Sequence, residues 1–246
     1  MNSPWYLWPL VLTPVVAMTI TTAVTVFKRR SAAALGFAGL WLAWTAVATW
    51  LAADDAFRQS PGTTNLAAPL AVAGGVALLV LLSRIPAVAA QMAGPADKLV
   101  VPHAYRVTGA VFLIAMVLGL LPPVFALPAG LGDMAVGIGA MVIAGSRRRD
   151  RMPSQKTLIW FNILGMLDLV VAVAIGALAG LGPAQLIHSS PSTQAVTLLP
   201  LVLIPTVAVP LLAALHVVSL IRLRQRHTEP NTVPIGHQPH RRLQGM

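Results

Sequence analysis

The sequence predicts an all-α integral membrane fold with seven transmembrane helices, and three observations carry that prediction. Of its 246 residues, 57% are hydrophobic and 10% charged, where a soluble domain carries about 25% charged residues. The mean hydropathy is +0.77. The apolar residues gather in runs close to the roughly 20 residues a helix needs to cross a bilayer. Between those runs, basic residues recur on alternate connections. An ordinary soluble enzyme, a disordered chain and a free nucleic-acid-binding protein are excluded by this composition.

The first span is read at 5–27. Trp5, Tyr6 and Trp8 sit where an interfacial aromatic belt would place them. Met1-Asn2-Ser3-Pro4 lacks the basic region of a secretory signal, so this span is expected to be retained. The second span covers 32–53, with Trp50 near its end, and the third 66–82. The fourth (105–122) and fifth (127–145) are separated only by the stretch around Pro122-Pro123-Val124-Phe125-Ala126, which predicts a short hairpin. Spans three to five are short enough that tilted or partly re-entrant forms stay open. The sixth span is 157–179. The seventh, 196–221, carries Pro200, Pro205 and Pro210 and is expected to be kinked. Residues 1–224 then form one polytopic domain. Residues 225–246, with Pro230, Pro234 and Pro239, read as a disordered basic cytoplasmic tail.

Orientation follows from the positive-inside rule. With the N-terminus outside and the C-terminus cytoplasmic, 16 of the 17 Lys and Arg residues fall on cytoplasmic segments, and only Arg58 lies outside. A six-span count, the main competitor, breaks the alternation. The same distribution explains the net charge of +10. Arg147-Arg148-Arg149 and Arg222/Arg224/Arg226 read as topology determinants that contact anionic lipids. They are short and lack interleaved aromatics, so no nucleic-acid partner is expected. Arg-rich, Cys-free composition suggests a bacterial inner membrane.

Chemistry is sought among ionisable residues within the spans, where each is costly to keep. Asp168 lies near the middle of the sixth span. Gly165, Asp168, Ala172, Gly176 and Ala179 share one helical arc, with Asn162 at its edge, so Asp168 is expected to face neighbouring helices. Asp133 sits on a second small-residue stripe, Ala129, Asp133, Gly137, Ala140 and Ala144. A shared site for the two acids is one reading, and a cap on the fifth helix is the other. The preceding run, Pro128-Ala129-Gly130-Leu131-Gly132, suggests a distorted helix start. The three prolines free the carbonyls of Val196, Leu201 and Thr206. His216, Ser219, Asn162 and the segment His103-Ala104-Tyr105-Arg106 enter from the same side. Arg106 itself reads as an interfacial residue that snorkels.

Asp168, Asn162, Asp133 and His216 are therefore the candidates for a substrate or proton pathway, with packing or interhelical hydrogen bonding as the plainer role of each. No catalytic residue and no metal site is expected. Without cysteine, thiol nucleophiles, thiolate metal sites and disulfides are out of reach. The seventh span has no lysine for a retinal Schiff base, and no HExxH, GxSxG or Walker motif occurs. Three functions remain: a small-solute or proton-coupled transporter, or a membrane subunit of one; a redox protein with b-type haem held by His216 and His103; and a non-catalytic scaffold or sensor. The transporter ranks first, with no cofactor expected. Partners would be the bilayer, anionic lipids, and a second copy or another membrane protein.

Overall fold

The computed structural model describes residues 4–28, 31–92, 95–147 and 151–228. Arg29, Arg30, Arg148, Arg149 and the expected tail beyond residue 228 lie outside the described residues. The described part is helical, and its only extended pairing is an isolated bridge between Phe27 and Met92.

The helices are α1 (Leu7–Val26), α2 (Ala32–Ala53), α3 (Ala67–Arg84), the single turn α4 (Pro86–Ala89), α5 (Ala110–Val117), α6 (Pro123–Arg147), α7 (Gln155–Leu178) and α8 (Val209–Thr228). A 3-10 segment, Ala96–Gly109, runs directly into α5, and a π turn, Ile204–Ala208, runs into α8. Counting these joined pieces, seven helices among the described residues are long and apolar enough to cross a membrane. Their outer faces are apolar, as suits a helix whose outer face meets lipid. Val24, Leu70 and Val170 stand more than half exposed on such faces. Threonines within the first span are satisfied locally. The hydroxyls of Thr19, Thr22 and Thr25 donate to the carbonyls of Val15, Met18 and Thr21 one turn back. Ser31 caps α2 and Ser154 caps α7, each accepting from a backbone amide 3.1 Å away.

Burial identifies the axis of the bundle. In its most apolar window 61% of the α8 span is buried, against 11% for α3 and 22% for α2. α8 packs on α3, on α7 and on the 3-10 segment, while α6 lies along the 3-10 segment, α5 and α7. α1 covers the 3-10 segment from the other side and holds α2 at the periphery.

Five expectations change here. The fourth span starts at Ala96, nine residues earlier than expected, because Asp97 and Lys98 lower the hydropathy of a segment that is nonetheless helical. α6 already begins at Pro123 and ends a five-residue link, Leu118–Pro122, whose Gly119 has φ +71°. The run Pro128–Gly132 therefore lies inside a continuous helix, not at a distorted start. The last span begins at Ile204: Pro200 precedes it in a turn, Pro205 opens the π turn, and Pro210 is the second residue of α8. Finally, α8 continues through residues 225–228, where the tail was expected to start.

Candidate functional site

The 3-10 segment sets the geometry of everything around it. With 3.0 residues per turn, positions three apart eclipse one another. Asp97, Val100, His103, Arg106 and Gly109 form such a row, and all five are buried. Lys98, Val101, Ala104 and Val107 form another row, each only partly buried. At about 2.0 Å rise per residue, Arg106 stands roughly 20 Å from Ala96. Along α7, at 1.5 Å per residue, Asp168 is also about 20 Å from Gln155. The guanidinium and the carboxylate thus meet at one depth.

Arg106 is the centre of the site. Its Nε donates to Asp133 Oδ1 at 2.7 Å, one terminal nitrogen donates to Asp168 Oδ2, and the other donates to the Gly165 carbonyl at 3.1 Å. That last nitrogen also lies 3.3 Å from His216 Nε2. The Arg106 side chain is 1% exposed, and those of Asp133 and Asp168 are 15% and 16% exposed. The snorkelling expected for Arg106 is therefore overturned: two carboxylates from two helices compensate the charge inside the bundle, and nothing draws it to the interface. Asp133 is likewise no cap, since it lies eleven residues into α6.

From Arg106 a file of hydrogen bonds continues along α7 and α8. A guanidinium only donates, so His216 Nε2 accepts, and its ring proton sits on Nδ1, 2.9 Å from Asn162 Oδ1. Asn162 Nδ2 in turn donates to Ser219 Oγ at 2.9 Å and to the Leu158 carbonyl at 2.7 Å. Asp168, Asn162, Asp133 and His216, four residues picked from sequence, are joined in one network. Arg106 is the member that sequence reasoning misplaced.

Backbone approach makes this possible. A Cβ on Gly132 would collide with the Asp168 carboxylate, one on Gly137 with the Val107 backbone, and one on Gly165 would come 2.5 Å from the His216 ring. The small-residue stripes therefore do face neighbouring helices. The freed Thr206 carbonyl also finds another helix, accepting from Trp44 Nε1 on α2 at 3.0 Å. The carbonyl of Leu201 accepts from Ile204 within the turn.

His103 stacks on His216 with ring centroids 4.0 Å apart and planes 29° apart, and Phe161 meets it edge-on at 5.5 Å. Neither nitrogen of His103 has a hydrogen-bond partner among the described residues. The fourth span read as 105–122 leaves His103 just outside it, whereas the early start of the 3-10 segment at Ala96 brings His103 within the span. The pair does not fit axial ligation of haem. Axial imidazoles point nitrogens at an iron between them, whereas these rings lie face to face with no room for a macrocycle. Among the described residues no group of three His, Cys, Asp or Glu is arranged to hold a metal ion.

A small cleft of about 50 Å³ between α1, the 3-10 segment and the π turn reaches Arg106 and Asp133 past Val15, Met18 and Leu212. It gives the charged cluster an apolar approach from the α1 side.

No curated protein and no solved structure matches the chain. Residues 65–224 match the family described as Domain of unknown function (DUF8737). That stretch runs from the start of α3 into the last turns of α8 and contains every residue of the network from His103 to Ser219. The match covers well over half of the chain, which therefore belongs to the DUF8737 family.

Proposed function

We propose that the protein is a proton-coupled transporter of a small solute, or the membrane subunit of one, and that the Arg106–Asp133–Asp168 cluster is its proton-handling site. One observation carries the reading: a single buried guanidinium is shared between carboxylates on two different helices. Formally the trio has one negative charge more than positive, so it accommodates one proton. A proton on Asp168 leaves Arg106 paired with Asp133 alone, and a proton on Asp133 leaves it paired with Asp168. Proton binding thus selects which of α6 and α7 is tied to the 3-10 segment. Ionisable residues at such depth typically mark proton or ion pathways. The file through His216, Asn162 and Ser219 extends polar groups toward one end of the bundle.

The orientation proposed is N-terminus outside and C-terminus in the cytoplasm, in a bacterial inner membrane. Arg106 and Arg58 apart, the Lys and Arg residues fall along the sequence in segments that the alternation of spans assigns to one side. The network then runs toward the cytoplasmic side.

The test is solute-driven proton movement in proteoliposomes carrying an internal pH dye, across a panel of amino acids, sugars and inorganic ions. Wild-type protein is expected to change the internal pH with at least one solute. Asp168→Asn, inserted and folded by circular dichroism, is expected to abolish the response. Equal flux in the variant overturns the assignment. A silent wild type that crosslinks to one fixed membrane partner favours a scaffold.

A further inference from the structure

A second cavity, of about 240 Å³, lies away from the charged cluster, between α1, α2, α3 and α8. Thr22, Phe27, Gly36, Phe37, Leu82 and Val218 are among the residues that line it. Its two hydroxyl-bearing residues have their protons already committed to backbone carbonyls. Thr22 donates to the Met18 carbonyl at 2.8 Å and Ser83 to the Val80 carbonyl at 2.7 Å. The chemistry this wall recognises is hydrocarbon.

The cavity has a lateral mouth. At their far ends Ala52 of α2 and Ala71 of α3 belong to one buried cluster with Phe57 and Val202. At the other end Gly36 of α2 and Leu82 of α3 both line the cavity, and a Cβ placed on Gly36 meets nothing within 4 Å. The floor at this end is tied down by the Phe27–Met92 bridge and by the Lys28 amide, which donates to the Gln91 carbonyl at 2.7 Å. Lys28 directly follows the lining residue Phe27, and Arg84 follows Ser83. Both cations are exposed, and neither is in an ion pair among the described residues.

We propose that this cavity binds one acyl chain of an anionic phospholipid whose phosphate is held by Lys28 and Arg84. The apolar wall admits the chain through the gap between α2 and α3. The two cations at its mouth select the headgroup by charge, which separates a site of this kind from nonspecific lipid contact along the outer faces.

Native mass spectrometry of the full chain released from nanodiscs of mixed phosphatidylglycerol and phosphatidylcholine tests the proposal. Wild type is expected to retain one phosphatidylglycerol. Two cations near a membrane surface correspond to a preference of roughly twenty- to thirty-fold over phosphatidylcholine. Gly36→Phe, which fills the mouth from a position with open space, is expected to lose the retained lipid. Lys28→Ala with Arg84→Ala is expected to keep a bound lipid and lose the preference. Absence of a retained lipid in wild type overturns the proposal, as does undiminished retention in folded Gly36→Phe. If Gly36→Phe does not fold, the double alanine variant decides: an unchanged preference overturns the headgroup assignment.

Discussion

Arg106→Gln should be among the most destabilising single changes in this protein, and the reason can be worked from its contacts. The substitution removes one positive charge and leaves Asp133 and Asp168 facing each other in a dry environment. Each ion pair is worth about 4 kcal/mol by Coulomb's law at an effective dielectric near 20. Measured losses on breaking a buried pair run to about 3–5 kcal/mol. The residual exposure of the carboxylates, 15% and 16%, places the expected loss toward the lower part of that range, at about 3 kcal/mol. The cost arises from charge left uncompensated, so it should be recoverable by removing the charge. The triple variant Arg106→Gln, Asp133→Asn, Asp168→Asn should therefore be more stable than Arg106→Gln alone. Unfolding in mixed micelles by increasing SDS, followed by circular dichroism, measures both. A single variant within about 1 kcal/mol of wild type, or a triple variant less stable than the single one, would refute the reasoning.

Further outcomes are expected from the same geometry. Gly165→Ala should destabilise by about 1–3 kcal/mol, because the added methyl presses on the His216 ring. Gly36→Ala should be neutral or slightly stabilising in the same SDS titration, since its Cβ meets open space. Asn162→Leu, which strips His216 Nδ1 and Ser219 Oγ of their shared partner, should cost about 1–2 kcal/mol by the same assay. Trp44→Phe, which removes the donor to the Thr206 carbonyl, should cost about 0.6 kcal/mol. Because the chain has no cysteine, single cysteines report the orientation directly. In intact cells a membrane-impermeant maleimide should label exposed Ser60→Cys, and Met152→Cys only after permeabilisation. The opposite pattern would invert the proposed topology.

Hydropathy located the spans wherever lipid contact alone decides the sequence. α2 was expected at 32–53 and spans Ala32–Ala53, and α7 was expected at 157–179 and runs Gln155–Leu178. The small-residue stripes around Asp133 and Asp168 announced close helix packing, because a glycine facing a neighbour leaves a periodic mark. The 3-10 segment was missed for an equally physical reason. A hydropathy window counts Asp97, Lys98, His103 and Arg106 as residues that belong in water, and partners on other helices are invisible to it. A signal was nonetheless present in the spacing of three that links Asp97, Val100, His103, Arg106 and Gly109. At the 3.6-residue period of an α-helix those positions do not coincide. The partnership of Arg106 with both acids has no local signature, because it depends on which helices pack together.

Helix pitch has a consequence of its own at this site. A 3-10 helix turns 120° per residue and an α-helix about 100°, so the three steps from His103 to Arg106 complete a full circle in one and stop about 60° short in the other. The same residues wound as an α-helix would point the imidazole and the guanidinium at different neighbours, and the segment Ala96–Gly109 would shorten by about 7 Å. Specificity here is thus encoded in winding as much as in side-chain identity. An insertion of one residue between positions 97 and 109 would rotate the charged row a third of a turn away from its acids while leaving composition and hydropathy almost untouched.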